Sequence, residues 1–234
     1  MFSAARIPKL TLPFAYFLGY LLGDGYTSRS GHPLIGMTCH SIDEREYCMT
    51  FLVPLIVRTF GIHPCVYKKK NQNAIAITFG SEKVLTYLTR ELGVPLGQER
   101  KTVPKWIIEA SMKVKIAFIR GLFDADGSLI FSKKHHQTEV YPSIELKSVD
   151  QEILEWVQRT LWELSFRATL GRSVESYVLR INGEEMLKRW MDVIGSSNIK
   201  HISKFQVWRR FGYCPPSTKV PDRIRFLKQG AIDL

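Results

Sequence analysis

Residues 17–25 read FLGYLLGDG, and residues 119–127 read IRGLFDADG, a second copy of the same short pattern. The terminal acids of the two copies, Asp24 and Asp126, are 102 residues apart, and the same offset joins Gly19 to Gly121. Each copy is an apolar helical segment that ends in an acid followed by glycine. The pattern predicts a duplicated chain in which two buried helices meet and bring two carboxylates to one seam, a place suited to a metal ion.

The duplication extends beyond the two motifs. The offset of 102 matches further pairs, which are Leu92 with Ile194, Gly93 with Gly195 and Trp106 with Trp208. Between them, residues 40–43 match residues 147–150 with an offset of 107, which pairs His40 with Lys147. This alignment predicts a five-residue loop insertion in the second half, compensated by a deletion before Ile77. Compensating changes in loops around aligned elements are typical of a duplicated domain.

Composition and charge point to a nucleic-acid partner. The 234 residues are 45% hydrophobic, enough for a sizeable core, and they carry a formal net charge of +11 with a pI near 9.6. No run approaches about 18 apolar residues and no basic amphipathic helix stands out, which disfavours a membrane partner. The N-terminus lacks the apolar core of a signal peptide, so we expect a cytoplasmic protein. The four cysteines have no C-x-x-C spacing, so we expect reduced, mostly buried thiols.

Hydrophobic periodicity predicts an α+β fold built from two α-β-β-α-β-β-α repeats. The predicted helices after the motif helices are residues 43–60 and 150–164, with short closing helices from about 81 and 183. The predicted strands are a strand directly after each motif and residues 36–40, 65–69, 73–79, 143–147, 166–171 and 177–182. Residues 36–40 and 143–147 alternate apolar and polar positions, so each should have one buried and one exposed face.

The repeats divide the chain into four segments. We expect a first repeat at residues 8–96, a linker at 97–113, a second repeat at 114–213 and a tail at 214–234. The linker contains several basic residues, and the tail contains Pro215, Pro216 and Pro221. We therefore expect the tail to be irregular and appended to the core.

The two motifs, their spacing and the element order resemble the LAGLIDADG homing endonucleases, in the single-chain form with two repeats. The resemblance covers about residues 10–210. It implies that the motif helices pack on a pseudo-twofold axis and that two four-stranded antiparallel sheets form a saddle for the DNA major groove. It also implies hydrolysis of both strands of a long asymmetric site, with short 3′ overhangs, by a monomer that needs no protein partner.

Asp24 and Asp126 are the principal candidate catalytic residues. Both end their helices, where the helix dipole disfavours an anion, and a divalent cation would remove that penalty. The resemblance makes these two acids metal ligands and adds the preceding residues, Gly23 and Ala125, to the metal site. Oxygen ligands suit Mg²⁺, and we expect Mn²⁺ to substitute and Ca²⁺ to support binding without cleavage.

Three further residues near the motifs are assigned roles. Lys147 lies on the polar side of its strand, where a cation would polarise the nucleophilic water or neutralise charge in the transition state. His40, its aligned counterpart, is either a proton acceptor or a phosphate contact. Asp124 occupies a position where the first motif has Leu22, so an acid is not needed in both halves, and we expect a structural role.

DNA contacts are expected from outward strand positions and from nearby basic residues. The expected groove-facing contacts are Arg29, Thr38, Lys68, Lys70 and Thr78 in the first repeat, and Glu145, Arg167, Thr169 and Arg180 in the second. Lys133 and Lys134, like Arg100 and Lys101, are expected to contact phosphates, which position the protein without specifying a sequence. For residues 68–70 a merely solvated turn is the alternative.

Other functions are compatible with the same fold. An intron RNA maturase or a DNA-binding regulator would bind nucleic acid without cleaving it, and loss of a motif acid would indicate either one. A hydrolase of small phosphoesters fits poorly with the charge and the lack of a glycine-rich phosphate loop. An intein would begin with a splicing nucleophile and end in His-Asn, so we expect a free-standing, intron-encoded protein for which intron RNA is a possible second partner.

Overall fold

The structure is a computed structural model that describes residues 5–97, 100–133 and 140–232. Two four-stranded antiparallel sheets each follow one long motif helix, as the duplicated pattern predicts. The strand orders are β1-β2-β4-β3 in one sheet and β5-β6-β8-β7 in the other, so the two halves share one topology. The predicted α+β fold of two repeats is confirmed.

The first half contains five helices and four strands among the described residues. In chain order they are α1 (Leu12–Asp24), β1 (Gly25–Ser28), β2 (Leu34–His40), α2 (Arg45–Tyr47), α3 (Val53–Phe60), β3 (Cys65–Lys68), β4 (Ala74–Phe79), α4 (Glu82–Thr86) and α5 (Lys105–Ile108). Two π-helical turns, Cys48–Leu52 and Tyr87–Glu91, join α2 to α3 and extend α4. The helix predicted over residues 43–60 is therefore nearly continuous, but its middle turn is wider than an α-helix.

The second half repeats this order, with one helix in place of α2 and α3, and then adds one further helix. Its elements are α6 (Met112–Asp126), β5 (Gly127–Lys133), β6 (Val140–Ser148), α7 (Gln151–Glu163), β7 (Ala168–Arg172), β8 (Tyr177–Asn182), α8 (Glu184–Val193), α9 (Ile199–Phe211) and α10 (Val220–Gln229). At the duplication offset of 102, α9 corresponds to the part of the linker that contains α5.

The motif helices α1 and α6 pack against each other along glycines. A Cβ added to Gly19 would lie 2.0 Å from the carbonyl oxygen of Phe118, and one added to Gly121 would lie 2.0 Å from that of Tyr16. The duplication offset carries the first contact onto the second, so the two contacts are related by the pseudo-twofold axis. Only glycine permits this approach of backbones, which explains why two helix interiors retain a residue that destabilises helices.

Sheet register corrects the alignment made from sequence. Gly25 and Gly127, the first residues after the acids, pair with Met37 and Leu146 respectively. The offset between the second strands is therefore 109 rather than 107, and the loop insertion has seven residues rather than five. The structural counterpart of Lys147 is Thr38, and His40 has no counterpart in the strand register. The similarity of residues 40–43 to 147–150 was misleading because the two loops differ in length.

The C-terminal tail is not irregular. Residues 220–229 form α10, whose Val220, Arg223 and Phe226 are buried against the rest of the chain. The backbone N–H of Val220 donates a hydrogen bond to Oδ1 of Asp43 at 2.7 Å, which fastens the tail to the first repeat. Pro215, Pro216 and Pro221 suggested a loop, but proline is compatible with the first turn of a helix, which is where Pro221 lies.

Among the described residues, no helix is both long and apolar enough to cross a membrane. The four cysteines are free thiols, and Cys65 is the exposed one, in agreement with the expectation from their spacing.

We predict that Gly19→Ala destabilises the protein by about 1–3 kcal/mol, because the new methyl group has no space against Phe118. In an ordinary helix the same change stabilises by about 1 kcal/mol, so the expected sign is opposite. Urea unfolding measures it, and Gly121→Ala should behave alike. Lys113→Ala, on the exposed side of α6, is the control. A stabilised Gly19→Ala protein would contradict the close packing of the two helices.

Candidate active site and nucleic-acid interface

Asp24 and Asp126 lie at the adjoining C-terminal ends of the two motif helices. A Cβ added to Gly23 would lie 2.5 Å from Cβ of Ala125 and 3.2 Å from Oδ2 of Asp126. The backbones therefore meet where the two acids are, and each acid is half-buried. The close packing along the glycines is what brings the two carboxylates to one place.

The environment of these carboxyl groups opposes their ionisation. Burial, followed by the charges of Asp126 and Glu44, raises the pKa of Asp24 from 3.8 to about 7. Burial raises the pKa of Asp126 from 3.8 to about 6. Two neighbouring carboxyl groups that resist ionisation are a suitable site for a divalent cation, because the cation removes both the desolvation cost and the repulsion.

The ligand set at the seam is small. No group of three or more His, Cys, Asp or Glu side chains that could hold a metal ion occurs in the described part of the chain. Two carboxylates with backbone carbonyls nearby fit Mg²⁺-like ions, which retain waters and bind phosphate oxygens at the remaining positions. Asp24 and Asp126 would hold such an ion, next to the backbone of Gly23 and Ala125.

Two lysines approach the two acids: Lys101, which the sequence predicts only as a phosphate contact, and Lys200, which was not predicted from the sequence. Nζ of Lys101 donates a hydrogen bond to the carbonyl oxygen of Gly23 at 3.0 Å. Lys200, in the first turn of α9, forms an ion pair with Glu44 at 2.8 Å. The positive charges of both lysines oppose the rise that burial causes in the pKa values of Asp24 and Asp126. Lys101 follows Asp24 by 77 residues and Lys200 follows Asp126 by 74. These similar spacings were the sequence feature that could have identified the pair.

Lys147 and His40 lie away from this pair. The ammonium of Lys147 is 3.7 Å from Glu145, and no hydrogen bond or ion pair joins it to either acid among the residues described. Nδ1 of His40 accepts a hydrogen bond from the backbone N–H of Asp43 at 3.2 Å. Lys101 and Lys200, rather than Lys147 and His40, are the basic side chains whose charges act on both carboxyl groups.

Asp124 is fully buried in a hydrogen-bond network beside the seam. Its carboxylate accepts hydrogen bonds from Tyr16 Oη at 2.6 Å, from the backbone N–H of Ser197 at 2.7 Å and from Oγ of Ser196. Burial still raises its pKa to about 6, although these donors oppose the shift. The network fixes the turn before α9 against α6, which agrees with the structural role expected for this acid.

Asn198 links this network to Lys200. Its Nδ2 donates to Oε1 of Glu44 at 2.7 Å and to the carbonyl oxygen of Asp124 at 3.0 Å. Its Oδ1 accepts the backbone N–H of Lys200 at 3.0 Å and so caps α9. A fully buried amide with these three hydrogen bonds determines where α9 begins and thus where Lys200 lies.

Comparison with known proteins identifies the duplicated unit. Residues 113–195 match the model of the family described as the LAGLIDADG-like domain. The first repeat shows the same strand order and the same motif helix. The second repeat is thus a LAGLIDADG-like domain, and the first repeat is similar to it in fold.

Solved structures of homing endonucleases are similar in fold over most of this chain. The homing endonuclease I-DmoI in complex with DNA and Mn aligns over 80% of this chain and 98% of its own, with a TM-score of 0.57 and 20% identity. I-WcaI bound to its DNA recognition sequence aligns over 81% of this chain and 82% of its own, with a TM-score of 0.53 and 13% identity. At these identities the similarity shows the fold.

This chain spans only a small part of the length of the curated relatives that it matches. The tRNA-splicing ligase RtcB of Pyrococcus furiosus is 25% identical over 80% of this chain, which spans 20% of that protein. The replication factor C small subunit of Methanocaldococcus jannaschii is 26% identical over 82% of this chain, which spans 11% of that protein. The two names have nothing in common, so they do not identify an activity for the shared unit.

The outer face of the second LAGLIDADG sheet carries a charged row. Ser128, Glu145, Arg180 and Thr169 are neighbours across the four strands. Glu145 is 8% exposed, because Nε of Arg180 binds it at 2.7 Å and Lys147 lies on its other side. Glu145 thus orients the Arg180 guanidinium, whereas Arg180 and the exposed Thr169 are open to a ligand.

The outer face of the first sheet has fewer charges. The ring of Tyr26 covers Gly36, the counterpart of Glu145, and Thr78 is 8% exposed. Nζ of Lys69 donates a hydrogen bond to Thr38 Oγ1 at 3.2 Å. Lys69 was not among the contacts predicted from the sequence, yet it supplies an ammonium where the second repeat has Lys147.

Several other expected DNA contacts are not at outward strand positions. Lys68 pairs with the buried Ile75, so its register places it on the helix-facing side of the sheet, whereas the sequence predicts an outward position. Lys70 is exposed in the following turn. Arg29 follows β1 and pairs with Glu82 at 2.6 Å, and Arg167 precedes β7 and pairs with Glu185 at 3.5 Å.

Lys134 lies outside the described residues. The structure places Lys133 at the end of β5 but does not describe its side chain. The phosphate contacts expected from these two residues remain predictions.

We predict that Asp24→Asn stabilises the metal-free protein at pH 8 but not at pH 4. A carboxyl group whose pKa rises from 3.8 to about 7 on folding contributes stability that is lost as pH rises through about 7, and asparagine does not titrate. Urea midpoints in excess chelator at both pH values measure the effect. Asp192→Asn, at an exposed position of α8, is the control. An equal change at both pH values would contradict the charge repulsion described for the seam.

Proposed function

We propose that this LAGLIDADG protein is a divalent-metal-dependent endonuclease that hydrolyses both strands of a long, asymmetric double-stranded DNA site, leaving short 3′ overhangs. One observation carries the proposal. Two half-buried carboxyl groups, one from each repeat, meet at the ends of the packed motif helices, and Lys101 and Lys200 lie beside them. A site with this pseudo-twofold arrangement matches a substrate with two antiparallel strands.

The seam residues divide the chemistry between them. A bound divalent cation supplies water activation and neutralises charge at the leaving 3′ oxygen. Asp24 and Asp126 would hold it, with Gly23 and Ala125 adjacent, and Mg²⁺ is the ion we propose. Mn²⁺ would substitute and Ca²⁺ would support binding. I-DmoI has been solved with DNA and Mn and with DNA and Ca.

Lys101 and Lys200 complete the proposed active site. Their ammonium groups are held beside the carboxylates by the Gly23 carbonyl and by Glu44 respectively. From there each is placed to neutralise charge that develops on the phosphate of one strand. Lys147, Lys69 and His40 lie further out, where phosphate or base contacts are their proposed roles.

The saddle formed by the outer faces of the two sheets is the proposed DNA interface. The net charge of +11 favours binding to phosphates, with a steep dependence on salt. Arg180 offers a guanidinium that Glu145 has already oriented, a geometry suited to the edge of guanine. Thr38, Thr78, Thr169 and Lys70 are the remaining proposed contacts of this face.

Cleavage can be tested on a duplex that the protein itself selects. Sheared genomic DNA that binds the protein in Ca²⁺ would be captured and sequenced, and the enriched duplex would then be incubated with Mg²⁺. We predict double-strand cleavage by the wild type and its loss in Asp24→Asn and Asp126→Asn, both of which should still bind the duplex in Ca²⁺. Asp192→Asn should cleave normally. Specific binding with no cleavage in Mg²⁺ or Mn²⁺ would favour a maturase or a regulator instead.

The two repeats should read different half-sites within one chain. In the structural alignment Gly36 corresponds to Glu145, Thr38 to Lys147 and Thr78 to Arg180. The outer surfaces of the two sheets therefore offer different hydrogen-bonding groups. We predict that one protein molecule binds one duplex and prefers the native site to palindromes made from either half. Sedimentation of the complex and cleavage of the three duplexes measure this. A two-protein complex, or a preferred palindrome, would contradict it.

A further inference from the structure

The tail helix α10 contacts the chain segment that carries Lys200. Nη1 of Arg223 donates a hydrogen bond to the backbone carbonyl of Lys200 at 2.7 Å. The start of α10 is fixed to the other repeat, because the N–H of Val220 binds Asp43, the residue before Glu44. The tail thus joins the backbone of Lys200 to the loop whose glutamate holds the Lys200 ammonium.

Burial of the Arg223 side chain at this position lowers the stability of the folded protein. It is 1% exposed, its Nε is buried without a hydrogen-bond partner, and no carboxylate in the described residues lies within ion-pair distance of it. Burial of an incompletely paired cation costs stability, and an apolar residue of similar length is often tolerated better in such places. Packing alone therefore does not explain an arginine here.

We propose that Arg223 is a positioning residue that holds Lys200 at the two carboxylates through the Lys200 carbonyl, and that it thereby sets the cleavage rate of one DNA strand. The inference rests on the proposed function. The N–H of Lys200 is fixed by Asn198, its carbonyl by Arg223 and its ammonium by Glu44. Lys101 has no side chain bonded to its backbone in the described residues, so loss of Arg223 should affect the Lys200 side alone.

The test is single-turnover cleavage of the captured duplex, labelled differently on each strand. Arg223→Met should slow one strand by about 10–100-fold, as is common when a supporting residue is lost, and leave the other near the wild-type rate. Lys200→Met should slow the same strand, and the double variant should be no slower than Lys200→Met, because the two residues act together. The melting temperature of Arg223→Met should be unchanged or raised.

Two further variants accompany this experiment. Arg225→Met removes an exposed arginine of the same helix, which pairs with Asp222 at 3.7 Å, and it should cleave both strands as the wild type does. Arg223→Lys keeps a cation and a hydrogen-bond donor, so the ratio of the cleavage rates of the two strands should stay close to that of the wild type. It also serves as the test if Arg223→Met does not fold.

A readout that needs no DNA separates positioning from folding. Acetic anhydride modifies lysine amines, and peptide mass spectrometry gives the rate for each one. Because Glu44 and the fixed backbone shield Lys200, its rate should rise several-fold in Arg223→Met and stay unchanged in Arg225→Met. Lys101 should react equally in all these proteins.

Each outcome supports or overturns one proposal. If the wild type cleaves neither strand, the proposed function fails. If the wild type cleaves and Lys200→Met is selective for one strand, but Arg223→Met retains both rates, the role of Arg223 is wrong. Equal slowing of both strands with a lowered melting temperature would likewise overturn it, since that result indicates a purely structural residue.

Discussion

The contact between two helix backbones at Gly19 and Gly121 is the constraint on which the rest of this structure depends. Because those helices touch along their length, the residues that end them must also meet, and the protein accepts two carboxyl groups that resist ionisation. The sheets, the caps and the flanking lysines are arranged around that meeting point. Stability has been given up there, as is common at functional sites.

Much of this architecture could be predicted from the sequence because the pattern of most helices and strands occurs in both halves of the chain. The motif helices, the strand order and the two acids were recognisable from periodicity and from the offset between the copies. The register of β2 against β6 was not, since a similar tetrapeptide in loops of unequal length gave the wrong alignment. Lys200 was missed, and Lys101 was predicted only as a phosphate contact, because no local pattern marks their place beside the acids: it depends on segments that return to the seam from distant parts of the chain.

The difference between Asp124 and its counterpart Leu22 gives the second motif a structural role that the first lacks. Leu22 in the first motif packs as an apolar residue, whereas Asp124 collects donors from Tyr16, Ser196 and Ser197. Those hydrogen bonds, continued through Asn198, determine where α9 begins. A buried acid that takes no part in the proposed chemistry thus places a residue that does.

Joining both repeats in one polypeptide has a consequence for how the protein can change over time. In a homodimer every substitution appears on both sides of the symmetry axis, so a change that suits one side must be tolerated by the other. In the first repeat the large Tyr26 lies beside the small Gly36. At the equivalent positions of the second repeat the small Ser128 lies beside the larger Glu145. Each half of the surface can therefore drift, or be redesigned, while its twin stays fixed.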